Sequence, residues 1–125
     1  YDDKKWYTMK NVNCNSNNLI YVIQCTKCKL LYVGQTSNSI KTRFANHFYD
    51  ISKKPHTVVS HHFNTLNHKL LDDVSISVLS FIATPVASPN SKFTRLQVEA
   101  AWQHRLHSLA PHGLNTLDEN RAQRT

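Results

Sequence analysis

The feature that most restricts the fold of this chain is a pair of short apolar segments around a Cys-x-x-Cys sequence, LIYVIQCTKCKLLYVGQT, at residues 19–36. Apolar side chains alternate along Leu19–Cys25, which is the period of a β-strand. Leu30–Gly34 is a second run of β-branched and aromatic residues, and only a four-residue link separates the two. The segments therefore predict an antiparallel hairpin that carries two cysteines at its turn.

The rest of the chain predicts three helices and a third strand. A first helix would run to about Ser52, and its candidate N-caps are Thr36, Ser37 and Asn38. Its apolar stripe, spaced i, i+4, i+8 and i+11, consists of Ile40, Phe44, Phe48 and Ile51. The remaining predicted elements are a helix at Thr57–Leu66, a strand at Val74–Ile82 and a helix from Asn90 or Ser91 to about Leu109.

This order of elements predicts an α+β fold, in which helices flank a small three-stranded antiparallel sheet. We expect residues 1–125 to form a single domain, with residues 1–17 as an N-terminal extension and residues 118–125 as a tail. The chain does not begin with methionine, as expected of a piece of a longer protein or of a processed one. No apolar run approaches the ~18–20 residues that cross a bilayer, so we expect no membrane partner.

The charge of the chain indicates what it binds. The formal net charge is +7, with eight further histidines. A basic domain of this size is typical of nucleic-acid binding, although a basic surface can also serve solubility alone. Three cysteines are an odd number, which argues against a disulfide framework and favours a reducing compartment.

The cysteines and histidines predict a structural zinc site. Cys25 and Cys28 have the two-residue gap that lets both thiolates reach one ion from a turn. Downstream, HHFNTLNH supplies His62 and His68, which would complete four ligands. The competing ligands for the outer positions are Cys14 and His61. The alternative is that the two cysteines are reduced and half-buried, and that the histidines only decorate a helix.

A second group of polar residues indicates a catalytic groove. Tyr21 and Tyr32, on adjacent predicted strands, could emerge on the same face. Arg43 and His47 lie one turn apart beside the apolar stripe, so both can point along one groove. Glu99 has apolar neighbours on the last helix, where a carboxylate is more stable if it faces a cleft or holds a cation. Each of these residues also has an ordinary structural explanation.

Taken together, these residues give the chain a resemblance to the GIY-YIG nuclease domain. The matching segments are LIY at residues 19–21, YVG at residues 32–34, KTRFANH around Arg43, then Glu99, and GLN at Gly113–Asn115. The chain most resembles the C-terminal endonuclease of Penelope-like retroelements, which carries a Cys-x-x-Cys between the two signatures and a downstream histidine pair. One departure is Leu19, which stands where the first signature has glycine. We expect this change to alter local packing and to leave the chemistry intact.

The resemblance implies a GIY-YIG-like fold with a zinc-binding insertion, and a catalytic role for several side chains. By similarity, Tyr21 would be the general base or would orient the attacking water, with His47 as a possible relay, and Arg43 would grip the scissile phosphate. Glu99 would hold one Mg²⁺ or Mn²⁺ that stabilises the leaving oxygen. The supporting residues would be Tyr32 within the site, Gly34 letting the chain turn close to the DNA, and Asn115.

The resemblance further implies a metal-dependent DNA endonuclease that nicks target DNA for retroelement integration. Its partners would be DNA and a covalently linked reverse transcriptase with its RNA, and its location would be the nucleus. A run of lysines and Arg95 are candidate phosphate contacts: Lys29, Lys41, Lys53, Lys54 and Lys69. The alternatives are a zinc-stabilised nucleic-acid-binding module with a degenerate nuclease site, and a protein-interaction domain.

Overall fold

The computed structural model describes residues 16–53, 58–64 and 73–116, and these form three strands and three helices. The strands are β1 (Leu19–Cys25), β2 (Leu31–Thr36) and β3 (Val74–Phe81). The helices are α1 (Ile40–Lys53), α2 (Val58–Phe63) and α3 (Ser91–Leu106). The expected α+β class and the order of elements are confirmed. None of the helices described is long and apolar enough to cross a membrane.

The three strands form one antiparallel sheet in the order β2-β1-β3, so the first strand in sequence is the central one. All seven residues of β1 are buried, because both faces of the central strand are covered. Tyr21 pairs with Gly34 across the β1–β2 ladder. On the other side of β1 the register with β3 shifts between Ile20 and Tyr21, so a β-bulge lies beside the tyrosine.

Alternation along the strands divides the core into two layers. One cluster joins the face of β1 that carries Tyr21 to α1 and α2; it includes Leu19, Tyr21, Ile23, Tyr32, Ile40, Ile51, Val59 and Phe63. The other cluster joins the opposite face to α3; it includes Ile20, Val22, Leu31, Val33, Leu79 and Leu106. Each fully buried aliphatic or aromatic side chain contributes about 1.5–3 kcal/mol to folding. The sheet is thus held between α1–α2 and α3.

The ends of two helices differ from the prediction. The N-cap of α1 is Ser39, whose Oγ accepts a hydrogen bond from the Thr42 N–H at 3.1 Å, and none of the three predicted caps takes this role. The last helix ends at Leu106 instead of about Leu109, because His107 adopts a left-handed conformation with φ of 55°. Residues other than glycine are uncommon in that conformation, although histidine is among the more frequent of them, so the sequence carries little signal for this end.

The predicted bounds of the second strand and of the histidine-rich helix can also be compared with the structure. The second strand continues past its predicted end at Gly34 to Thr36, so Gly34 lies inside β2 and does not form a turn. The described part of the histidine-rich helix is α2, and the ends predicted at Thr57 and Leu66 lie outside the described residues. Most of the predicted extension and tail also lies outside them.

Candidate active site and metal centre

Tyr21 lies at the centre of a three-residue hydrogen-bonded unit. Its side chain is 0% exposed, and its hydroxyl lies 2.7 Å from Nε2 of His47. Nε of Arg43 donates a second hydrogen bond to the same hydroxyl oxygen, at 2.9 Å. Because Arg43 and His47 are one turn apart on α1, one helix face presents both groups to the strand. The phenol is therefore held between a fixed positive charge and an imidazole.

His47 is buried where the apolar stripe was expected to lie. The buried residues of α1 are Ile40, His47 and Ile51, whereas the predicted stripe residues Phe44 and Phe48 are half-buried and pack edge-to-face at 4.4 Å. Burial, followed by the positive charge of Arg43, lowers the pKa of His47 to about 3. The imidazole is consequently neutral at physiological pH, and a neutral Nε2 can accept the proton of a tyrosine hydroxyl.

Arg43 connects the tyrosine to open space. Burial disfavours its charged form, but interaction with the Tyr21 hydroxyl, then with Tyr32 and Asp50, more than offsets this and raises the pKa of the Arg43 guanidinium. The charge is therefore permanent. Its guanidinium carbon lies 5.9 Å from the centre of the Tyr21 ring. A fixed cation beside the phenol oxygen can offset negative charge that develops there.

Gly34 makes room for Tyr21. It faces Tyr21 in the β1–β2 pairing, and a Cβ at this position would collide with the outer end of the phenol ring. The glycine has a negative φ, so the reason for glycine here is space and not backbone conformation. The expectation that Gly34 lets the chain turn is therefore wrong. Its lack of a side chain is what admits the tyrosine.

A cavity of about 300 Å³ opens at the edge strand β2. Its walls come from both layers of the fold, since Arg43 belongs to α1 and Glu99 to α3. The residues that line it are Tyr32, Gly34, Gln35, Thr36, Ser37, Asn38, Arg43, Asn46, Arg95 and Glu99. Tyr21 is not among them, and Arg43 is the side chain that both contacts the Tyr21 hydroxyl and borders the cavity. The structure thus brings Tyr21, Arg43 and Glu99 together from three distant segments.

Glu99 supplies the only carboxylate among the described residues that line this cavity, and it is 3% exposed. Carboxylate oxygen is the donor that Mg²⁺ and Mn²⁺ prefer, and Mg²⁺ is commonly held by one or two carboxylates together with waters and substrate phosphates. The donor set therefore fits one hard divalent cation.

Tyr32 and Asn115 support the site in different ways. Tyr32 lines the cavity and packs edge-to-face on His47, with ring centres 5.9 Å apart. Asn115 is fully buried beyond α3 and pairs with the free edge of β2. It accepts from the Val33 N–H at 2.8 Å and donates to the Val33 carbonyl at 3.0 Å, while Ser108 donates to its Oδ1 at 2.7 Å. Asn115 therefore holds the strand that forms the cavity wall.

A separate cluster of soft ligands lies at the turn of the hairpin. The ligand atoms of Cys25, Cys28 and His62 all lie within 4.8 Å of one another. A tetrahedral zinc site with bonds of about 2.0–2.3 Å places its ligand atoms about 3.5–4 Å apart, so only a small contraction is needed. Cys28 N–H also donates to the Cys25 sulfur at 3.3 Å. These three residues could hold a metal ion, and two thiolates with an imidazole match zinc best.

The other predicted ligands have different outcomes. The competing ligand His61 is exposed on α2 and is not part of the cluster. His68 and the alternative ligand Cys14 lie outside the described residues. Burial raises the pKa of the Cys25 thiol, and a bound cation would reverse this effect because zinc binds the thiolate.

Sequence reasoning missed the polar network on the α3 side of the cavity. Arg95 donates from Nε to Gln35 Oε1 at 2.8 Å, and from Nη1 to Asn18 Oδ1 at 3.0 Å. Asn18 in turn donates to the carbonyls of Ile82 and Thr84. Arg95 was expected only as one of several phosphate contacts. The i, i+4 spacing of Arg95 and Glu99 is the one signal that could have placed them together.

The fold is a small α+β domain in which Arg43 links the enclosed Tyr21 hydroxyl to a cavity that Glu99 also lines. The family model of the GIY-YIG catalytic domain matches residues 17–110, and the chain therefore belongs to the GIY-YIG family. The match includes the strand whose first residue, Leu19, replaces the signature glycine; Leu19 is fully buried in the core.

Two solved structures have the same fold. The catalytic domain of the homing endonuclease I-TevI is 23% identical, with a TM-score of 0.59 over 78% of this chain and 95% of that chain. A mutant of the catalytic domain of the intron endonuclease I-TevI is 26% identical, with a TM-score of 0.60 over 77% of this chain and 89% of that chain. No curated protein matches the chain.

Proposed function

We propose that this chain is a divalent-metal-dependent DNA endonuclease that hydrolyses phosphodiester bonds. The observation that carries the proposal is the position of Arg43, which contacts the Tyr21 hydroxyl and borders the cavity that also contains Glu99. Membership of the GIY-YIG family and the similarity to an endonuclease catalytic domain support it. The net charge of +7 suits a polyanionic substrate such as DNA.

In this mechanism Arg43 binds the scissile phosphate and offsets the negative charge that grows on its oxygens. Tyr21 accepts the proton of the attacking water, and its own hydroxyl proton passes to the neutral Nε2 of His47, 2.7 Å away. Tyr21 is fully enclosed, and Arg43 lies between its hydroxyl and the cavity. In this proposal the attacking water reaches the hydroxyl once the Arg43 guanidinium engages the phosphate. Tyr32 keeps the imidazole in place through its edge contact.

Glu99 holds the divalent cation in this proposal. A bound Mg²⁺ or Mn²⁺ would supply Lewis-acid stabilisation of the leaving 3′ oxygen. The Glu99 carboxylate on α3 would hold this cation, and Arg43 on α1 lines the same cavity and would bind the phosphate.

The zinc site has a separate, structural role. We propose that zinc binds Cys25, Cys28 and His62, with His68 or Cys14 as the fourth ligand. The ion would tie the hairpin turn to α2 and leave the catalytic chemistry to the oxygen-bound cation. The Cys-x-x-Cys between the two signatures is also what supports a Penelope-like origin.

That origin would set the biological context. We propose that the domain nicks target DNA in the nucleus, so that a covalently linked reverse transcriptase can prime from the exposed 3′ end and copy its RNA. This proposal rests on the resemblance in the sequence and extends beyond the family assignment.

Plasmid nicking by the Glu99→Gln variant tests the proposed function. The amide keeps the shape of the side chain but removes its charge, so we expect nicking of supercoiled plasmid in Mg²⁺ or Mn²⁺ to disappear while DNA affinity and melting temperature stay close to wild type. Gln97→Glu, an exposed change on the same helix, is the control that should nick normally. Nicking that persists in Glu99→Gln would remove the metal assignment. A wild-type protein that binds DNA with no nicking in any metal would favour the degenerate binding module.

A further inference from the structure

Arg95 is a buried arginine in the cavity wall that the proposed mechanism does not use. It lies on α3, one turn before Glu99, and it is 7% exposed. It lines the same cavity as Arg43 and Glu99. Burying a guanidinium is unfavourable unless an anion or a full set of hydrogen bonds compensates the charge. The hydrogen-bond partners of Arg95 therefore indicate its role.

The partners within the protein orient Arg95 and leave its charge unneutralised. Its hydrogen bonds go from Nε to Gln35, and from Nη1 to Asn18 at 3.0 Å and Ser91 at 2.8 Å. All three acceptors are neutral, and no carboxylate among the described residues forms an ion pair with this guanidinium. In the described part of the chain, the other terminal nitrogen, Nη2, has no acceptor.

A purely structural role would not require this charge. A neutral side chain could join α3 to β2 without the desolvation that burial of a guanidinium brings. Burial lowers the pKa of Arg95, yet arginine remains charged at physiological pH. Arg95 thus places a fixed cation, with one nitrogen uncommitted, in the wall of a cavity that Arg43 also lines.

The position of Arg95 separates its role from that of Arg43. Arg43 comes from the α1 layer and contacts Tyr21, whereas Arg95 comes from the α3 layer and is anchored at Asn18, before the first residue of β1. Tyr21 lies three positions after Asn18, or about 10 Å along extended chain at 3.3 Å per residue. A single uncommitted nitrogen also suits one hydrogen bond to a phosphate oxygen better than a bidentate clamp.

We propose that Arg95 binds a backbone phosphate that flanks the scissile phosphate on the cleaved strand, and so positions the DNA between the two layers. This inference rests on the proposed endonuclease function. A flanking contact holds the substrate equally in the ground state and the transition state, so its loss weakens binding and leaves the chemical step intact.

The test uses the folded chain, a duplex that carries the nick site mapped with the wild-type protein, and the Arg95→Gln variant. Binding is measured in the Glu99→Gln background, so that the DNA stays intact. We expect Kd to rise roughly ten-fold at low salt and the slope of log K against log salt to fall by about 0.9, the value for one phosphate contact. Saturated nicking by Arg95→Gln should stay within about three-fold of wild type. Lys92→Gln, which removes an exposed charge from the same helix, is the matched control.

A second measurement changes the DNA and not the protein, so it does not depend on the stability of the variant. Neutral methylphosphonates replace the phosphates beside the nick site one at a time. In the protein that keeps Arg95, a methylphosphonate at one flanking position should weaken DNA binding about ten-fold. The same replacement should not change the Kd of Arg95→Gln. If Arg95→Gln does not fold, Arg95→Lys takes its place. The loss of affinity caused by the methylphosphonate should then be smaller than with arginine but still measurable.

Three results would overturn the inference. One is an Arg95→Gln protein with unchanged Kd and salt slope, and another is a loss of saturated nicking at unchanged Kd. The third is a wild-type protein for which no flanking methylphosphonate matters. A wild-type protein that binds DNA and never nicks it would refute the endonuclease function, and the salt slope would still report on Arg95.

Discussion

Gly34 lies directly opposite Tyr21 in the β1–β2 pairing, and the phenol ring occupies the place where a side chain at position 34 would be. The two residues are therefore one structural unit. The glycine of the Tyr-Val-Gly in the second strand is explained by the tyrosine of the first, and a side chain added at position 34 would displace the hydroxyl.

Gly34→Ala should destabilise the protein and impair nicking. The added methyl group collides with the end of the Tyr21 ring, and overpacking of this kind costs about 1–3 kcal/mol. Urea unfolding measures the loss. Adding Tyr21→Phe removes the hydroxyl from the collision, so the double variant should lose less stability than the two single variants together. Strictly additive losses would contradict the contact.

Tyr21→Phe should abolish activity and leave the fold in place. The change removes one oxygen and leaves Arg43 Nε and His47 Nε2 without their shared partner, which costs about 1–3 kcal/mol of stability. Nicking should fall by at least the ~10²–10⁴-fold typical of a lost general base. Tyr49→Phe is the control, since Tyr49 is 57% exposed on α1 and should nick normally. Full activity in Tyr21→Phe would exclude the hydroxyl from the chemistry.

The stability of the protein should depend on pH through His47. Its folded pKa of about 3 lies below the ordinary value of 6.5, so the unfolded chain binds more protons between these values. The contribution of neutral His47 is complete above pH 6.5 and is lost as pH falls towards 3, by roughly 4–5 kcal/mol at most.

Urea unfolding of wild type and His47→Gln, at several pH values with zinc in excess, measures this effect. The wild-type advantage should shrink steadily below pH 6.5. His104→Gln, an exposed change on α3, should track the wild type at every pH. An advantage of His47 that stays constant down to pH 4.5 would refute burial of the neutral imidazole.

Removal of zinc should destabilise the hairpin end of the sheet. Purified protein should contain close to one zinc per chain by elemental analysis, and Cys25→Ser with Cys28→Ser should remove it. The melting temperature should fall at the same time, because the turn is no longer tied to α2. His61→Gln should retain the metal, since His61 is an exposed neighbour of His62. A metal-free protein with an unchanged melting temperature would end the assignment.

The fold was largely predictable because its signals are local. Alternation along Leu19–Cys25 and the short link to the second strand gave the hairpin, and helical periodicity placed α1 and α3. The ends were less accurate, since the left-handed conformation of His107 and the capping by Ser39 depend on contacts that composition does not report.

The arrangement of the site was predictable where one helix carries two of its residues. It was less predictable where residues from different elements contact each other. The spacing of Arg43 and His47 on one helix indicated that both could point along one groove, and the structure places both at the Tyr21 hydroxyl. The function of Gly34 required the register of two strands. The network around Arg95 joins residues more than 70 positions apart in sequence, which no local pattern records.

The pairing of Asn115 with Val33 has a consequence for the behaviour of the protein in solution. An open edge strand readily recruits another chain and seeds aggregation, and β2 is such an edge. Asn115 covers the Val33 amide and carbonyl, and the Leu114 N–H covers the Leu31 carbonyl at 2.8 Å. The same few residues that brace the cavity wall therefore also keep neighbouring molecules from extending the sheet at that border.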